Sequence, residues 1–179
     1  MSQPPLKQQE PIRQEKEKLI VSSFGTRQDF LNLLSKNPGL VILKLGATWC
    51  GPCKRIKPVV DAFFASSPDS VICCDVDVDE SFDLYAYLKS KKMVNGVPVM
   101  MCYKKGNTSF IPDDSITGAD PVELDKFFKR CNLHLMSLRL VHLWKGGVKP
   151  PGLSFYFGLF CSTFYKRSEK SGKLNIYIL

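Results

Sequence analysis

Hydrophobic positions change period repeatedly between residues 19 and 133. Leu19-Ile20-Val21 is a short β-like run. Thr26 to Lys36 spaces Phe30, Leu33 and Leu34 along one helical face, with Thr26 as cap, Asp29 three residues later and Asn37-Pro38-Gly39 as the stop. Leu40 to Leu45 is almost continuously apolar, as in a strand covered on both faces, although Lys44 stands inside it. Gly51 to Ser67 reads as a helix with Val59, Val60, Phe63 and Phe64 on one side. Val71 to Val78 is a second buried strand, followed by a helix carrying Phe82, Leu84, Tyr85 and Leu88. Val97 to Tyr103 is strand-like, Lys104-Lys105-Gly106-Asn107 is a turn and Ser109 to Ile116 reads as a short edge strand. Pro121 to Cys131 closes the series as a helix, capped by Asp120, with Leu124, Phe127, Phe128 and Cys131 apolar. Strands alternating with helices imply an α/β domain around a central sheet.

On either side of that span the pattern is lost. Residues 1–18 are rich in Gln, Glu, Lys and Pro and read as a flexible extension that buries too little apolar surface to offset the entropy of ordering. The first ten residues lack the apolar stretch of a secretory leader. In residues 134–179, Leu135, Leu138, Val141 and Leu143 could prolong the last helix until Gly146-Gly147 and Pro150-Pro151. An aromatic run from Phe155 to Tyr165 and a basic end follow, and this tail does not read as an independent domain.

Charge changes the picture only in its location. The formal net charge of +8 suggests a polyanionic partner, but up to Leu133 there are 18 basic and 16 acidic residues, against 7 and 1 afterwards. A nucleic-acid partner is therefore not expected of the domain. Contact of the tail with an anionic membrane is the alternative to a tail without a role. Seven cysteines, odd in number and scattered, do not form the framework of a small secreted protein, so a reducing compartment such as the cytoplasm is expected.

The candidate chemistry lies in Trp49-Cys50-Gly51-Pro52-Cys53-Lys54, directly after a strand and opening a helix. Thiols three positions apart at a helix start share one turn and lie close enough to form a disulfide. Cys50, at the N-terminal end, faces unpaired backbone N–H groups and the positive end of the dipole, which favour a thiolate. Thiolate attack followed by resolution from a neighbouring thiol is the chemistry of thiol–disulfide exchange, with Cys50 attacking and Cys53 resolving. Pro52 adds rigidity and Trp49 can cover the pair. The competing assignment is a zinc site completed by Cys131-Asn132-Leu133-His134, although Gly-Pro between the ligands is a poor zinc knuckle. Cys73, Cys74 and Cys102 fall in predicted strands and, with Cys131, read as small core residues; Cys161 in the tail reads as exposed.

Several separated segments together resemble the thioredoxin family: Ala47-Thr48-Trp49-Cys50-Gly51-Pro52-Cys53-Lys54 with Ile56-Lys57-Pro58, Val76-Asp77-Val78-Asp79, Gly96-Val97-Pro98, Lys104-Lys105-Gly106 and Gly118-Ala119. The resemblance covers residues 19–133. It implies a thioredoxin fold, a mixed β-sheet flanked by helices, and a protein-disulfide reductase active in redox homeostasis and electron transport. No cofactor is implied beyond the Cys50–Cys53 couple. The implied partners are disulfide-containing proteins and an upstream reductant such as a thioredoxin reductase, acting on a monomer. Pro98 matches the proline that follows a cis peptide bond, Val97 the residue offering its backbone to an incoming peptide, and Gly96 and Gly118 the rest of the docking surface. Pro58 matches a helix-kinking proline.

The chain departs from the family pattern at three places. Lys44 stands where the family carries a buried aspartate that accepts a proton near the second cysteine. A lysine there either extends its ammonium to the protein edge or supports the thiols, by stabilising a thiolate or as a base. Val99 replaces a customary threonine, and the stretches Cys53 to Pro98 and Gly106 to Gly118 look slightly long. A different class of function also fits the fold: a thioredoxin-like binding module whose redox activity is incidental.

Overall fold

The computed structural model describes residues 18–145, with side chains described through residue 138. The expected extension before Lys18 and the aromatic, basic tail from Gly146, with Cys161, lie outside the described residues. The elements are β1 (Ile20–Val21), α1 (Arg27–Ser35), β2 (Leu40–Gly46), α2 (Gly51–Ser66), β3 (Val71–Asp77), α3 (Phe82–Ser90), β4 (Val99–Lys104), β5 (Asp114–Thr117) and α4 (Pro121–Lys145). The strands form one mixed sheet in the order β1-β3-β2-β4-β5. β1 and β2 run parallel to β3, whereas β4 is antiparallel to both β2 and β5.

β2 occupies the middle because every one of its residues is buried. Alternation along the strand sends Val41, Leu43 and Leu45 into a core with Phe30 and Leu34 of α1 and Leu84 and Leu88 of α3. Leu40 and Ile42 face the other way, against Ile56, Val60 and Phe64 of α2 and Leu124, Phe127 and Phe128 of α4. Lys44 belongs to this second face by the same alternation.

The local chemistry explains where the elements begin and stop. Thr26 Oγ1 accepts the Asp29 N–H at 3.3 Å while Asp29 Oδ2 accepts the Thr26 N–H at 2.8 Å, which completes the capping box of α1. At the start of α4, Asp120 Oδ1 accepts the Val122 N–H at 2.7 Å. α4 continues well past Cys131, since neither glycine nor proline interrupts it before Gly146. The compact unit that carries the sheet ends at Leu135.

Three expectations are corrected. β5 is four residues long and starts only at Asp114, because Asn107 organises the preceding stretch as a loop. Its Nδ2 donates to Ile111 O at 2.9 Å and Asp113 Oδ2 at 2.8 Å, and its Oδ1 accepts the Ser109 N–H at 2.9 Å. Val59 of α2 is half exposed, and Phe63 reaches only partial burial by stacking on Phe128, with ring centroids 4.0 Å apart. Lys18 is not part of a free extension: its ammonium donates to Ser67 O at 3.1 Å and Pro68 O at 3.3 Å.

The turn into β2 is tightly built. Buried Asn37 donates from Nδ2 to Tyr103 O at 3.0 Å and accepts the Gly39 N–H at 3.0 Å. A Cβ on Gly39 would lie 2.8 Å from the backbone oxygen of Ser70, an atom that cannot move without shifting the β2–β3 junction. Gly39→Ala is therefore expected to destabilise the domain by about 1–3 kcal/mol, as overpacking does, measured as a lower urea midpoint at unchanged slope.

Candidate active site

The last residue of β2 is the point from which the site is laid out. Gly46 sits opposite Asp77 of β3 and accepts the Val78 N–H at 2.9 Å, while Leu45 sits opposite Val99 of β4, so Pro98 lies at the same end of the sheet. The chain leaving Gly46 turns tightly, with the Cys50 N–H bonded to Ala47 O at 3.1 Å. Cys50 then caps α2: its Sγ accepts the Cys53 N–H at 3.2 Å. Cys50 and Cys53 form a disulfide with their Cα atoms 5.3 Å apart, and both residues are buried.

The surrounding loop is held by β3. The Thr48 N–H donates to Asp77 Oδ2 at 3.1 Å, and the Trp49 indole N–H donates to Asp79 Oδ2 at 2.8 Å. Asp77 Oδ1 also accepts the Asp79 N–H at 2.9 Å, so the two carboxylates share one turn. Trp49 is thereby tethered with 66% of its surface exposed. Beside it Gly51 is exposed and Pro52 half-buried.

Immediately before the neighbouring strand β4 the Val97–Pro98 peptide is cis. Pro98 O accepts the Gly118 N–H at 2.8 Å, and Gly118 has φ +102°, the left-handed region that favours glycine. Val97 packs on the core cluster that contains Cys50 and Cys53. Gly96 is half-buried, with open space where a side chain would stand. Pro58, inside α2, leaves the Lys54 carbonyl without its helical donor.

The zinc alternative does not match this layout. Cys131 lies in the core on the other face of the sheet from the one that contains Cys50 and Cys53, so the two cysteine sets are separated. Among the described residues no three metal-ligating side chains gather.

In this chain a disulfide caps a helix beside a cis proline, and the Thioredoxin family model matches residues 21–130. The chain belongs to the thioredoxin family. It is 33% identical to the thioredoxin of Gallus gallus over 114 residues, 62% of this chain and 97% of the relative. It is 35% identical to that of Equus caballus over 112 residues, 61% and 93% of the two chains. The crystal structure of Fasciola hepatica thioredoxin superposes with a TM-score of 0.50 at 30% identity, covering 62% of this chain and 98% of that one. Thioredoxins are thiol–disulfide oxidoreductases, and this chain is one.

Within that family frame Lys44 is the unusual residue. Its ammonium does not extend to the protein edge: it donates to Asp75 Oδ1 at 2.6 Å, with its side chain 6% exposed. The pairing follows from register, since Lys44 and Asp75 are direct neighbours across β2 and β3. Lys57 of α2 approaches the other oxygen of Asp75 at 3.8 Å and bonds Asp61 at 3.0 Å. That Asp61 bond, against a smaller burial effect, raises the Lys57 pKa above its ordinary value. A Cβ on Gly46 would lie 3.6 Å from Lys44 Cε and 3.7 Å from Cys53 Sγ, so Lys44 and the second cysteine converge across this glycine.

Asp75, Asp77 and Asp79 are the residues that sequence reasoning left without a role in the site. Their signal was the spacing of two along a strand parallel to β2, which aims one carboxylate at Lys44 and the next two at the active-site loop. Removing either member of the buried pair should destabilise unequally. Asp75→Asn strands a buried ammonium and is expected to cost about 3–5 kcal/mol. Lys44→Met leaves a carboxylate that is 25% exposed and still near Lys57, and should cost less. Urea unfolding of the oxidised proteins compares the two; equal or reversed costs would contradict this assignment of burial.

Proposed function

We propose that this thioredoxin acts as a protein-disulfide reductase with Cys50 as nucleophile and Cys53 as resolving thiol. The observation that carries the reading is the Cys50 sulfur at the N-cap of α2, receiving the Cys53 backbone N–H at 3.2 Å. A sulfur so placed is stabilised as a thiolate by that donor and by the helix dipole. In the reduced protein the Cys50 thiolate attacks one sulfur of a target disulfide, forms a mixed disulfide and releases the first target thiolate. Cys53, as thiolate, then attacks the Cys50 sulfur and expels the second target thiolate, leaving the Cys50–Cys53 disulfide for an external dithiol reductant to reduce.

Trp49, Gly51, Pro52, Gly96, Val97, Pro98 and Gly118 form the surface on which the target chain docks in this scheme, with the Val97 backbone pairing in strand fashion. Lys44 takes the place of the family's aspartate with the opposite charge. Its ammonium, oriented by Asp75, favours the thiolate of Cys53 during resolution. The scheme suits a reducing compartment such as the cytoplasm, a reductase of the thioredoxin reductase type upstream, a monomer, and a contribution to redox homeostasis.

Insulin reduction driven by dithiothreitol tests the scheme. Cys50→Ser should fall to the uncatalysed rate, and Cys53→Ser should accumulate mixed disulfides at Cys50. Retained turnover in Cys50→Ser would refute the scheme, whereas partners held without any thiol linkage would favour a binding module. In Lys44→Met the acidic limb of the kcat/KM profile should move to higher pH, because Cys53 loses a neighbouring cation. An unchanged profile would remove Lys44 from the mechanism.

A further inference from the structure

Cys102 of β4 and Cys131 of α4, two core positions far apart in sequence, meet on the α2/α4 face of the sheet. Both are almost completely buried, at 3% and 2% exposure. Interaction with Cys131, reinforced by burial, pushes the Cys102 thiol far above its ordinary range. Cys102 therefore keeps its proton. Next to Cys131, the Arg130 guanidinium interacts electrostatically with that cysteine and is anchored on Asp114 by two bonds of 2.6 and 3.1 Å. No comparable pair exists at Cys73 and Cys74, whose adjacent positions in β3 send them to opposite faces of the sheet.

The pair also has a route to small molecules. Cys102 and Cys131 line a cavity of 280 Å³ whose other walls are Lys104, Asp113, Asp114 and Arg130. That volume is several times the ~30 Å³ share of a water molecule in the liquid, which leaves room for a hydroperoxide but not for a protein disulfide. Its place is separate from the Cys50–Cys53 site: Cys102 pairs with Ile42, four residues before Gly46, or roughly 13 Å along β2.

We propose that Cys102 and Cys131 are a second dithiol–disulfide couple, oxidised by a hydroperoxide entering through this cavity. Cys131, the neighbour of Arg130, attacks the peroxide as a thiolate. A sulfur–oxygen bond forms, the O–O bond breaks, and the departing alkoxide or hydroxide takes up a proton to leave as alcohol or water. Cys102 then loses its proton and attacks the Cys131 sulfenic sulfur; the S–S bond forms and the hydroxyl leaves as water. Two thiols and one hydroperoxide become one disulfide, one alcohol or water, and one water. The product ties β4 to α4 covalently and records peroxide exposure at a site that disulfide exchange with proteins does not reach.

The test treats the full-length Cys50→Ser/Cys53→Ser chain with hydrogen peroxide and maps unreduced peptides by mass spectrometry. The expected result is a Cys102–Cys131 linked pair, loss of two free thiols and reversal by dithiothreitol. With Cys102→Ser added, the expected product is a dimedone-trappable sulfenic acid on Cys131. Should the substituted chain not fold, the same map on the unsubstituted protein reads the Cys102–Cys131 link alongside that of Cys50–Cys53. The proposal is overturned if both cysteines stay free at doses that oxidise Cys50, if they reach sulfinic acids without a link, or if either links to Cys73, Cys74 or Cys161 instead.

Discussion

The central strand β2 is hydrogen-bonded along both edges and covered on both faces, and the active site is laid out from its end. Because its neighbours pair in fixed registers, stopping β2 at Gly46 simultaneously places Asp77 on one side and Pro98 on the other. The helix that opens at the cysteine pair then starts five residues later, at Gly51, with no freedom to wander, since Asp77 and Asp79 hold Thr48 and Trp49. A slip of one residue in either pairing would exchange the two faces of the strand and dismantle both cores together. The chemistry therefore inherits its precision from apolar packing several residues away.

A charge inside such a strand would normally be excluded, and Lys44 is tolerated because it does not stand alone. Desolvation of an ammonium costs several kcal/mol unless a counter-charge at good geometry offsets it, and Asp75 at 2.6 Å supplies that counter-charge. The arrangement continues through Lys57 to Asp61 on α2, grading from buried to exposed. Relative to the family pattern, the position beside the second cysteine carries a positive group in place of a negative one. The fold accommodates that inversion because the opposite charge is provided by the adjacent strand.

Much of the fold was legible from periodicity because most elements obey one rule at a time. The β2 run of Leu40 to Leu45, the Thr26 cap of α1 and the Gly51 start of α2 all stand where the pattern places them. Where side chains rather than hydrophobic period decide, the reading drifted. Asn107 converts half of the expected edge strand into a loop, and the absence of a breaker before Gly146 lengthens α4. At the candidate site the two cysteines were visible in the linear motif. Asp75, Asp77 and Asp79 acquire partners only once the β2–β3 register is known, and Cys102 and Cys131 look like independent core residues until β4 and α4 are packed together.

The two outer strands carry one more consequence. β1 contributes two residues and β5 four, and β5 presents Asp114, Ser115 and Thr117 along its length. The apolar strands that would pair most readily with another chain, β2, β3 and β4, are all interior to the sheet. Both margins are short and β5 is largely polar, so the outermost strands themselves offer few backbone groups to template a neighbour's strand, while the strongly apolar β2 lies at the centre of the sheet.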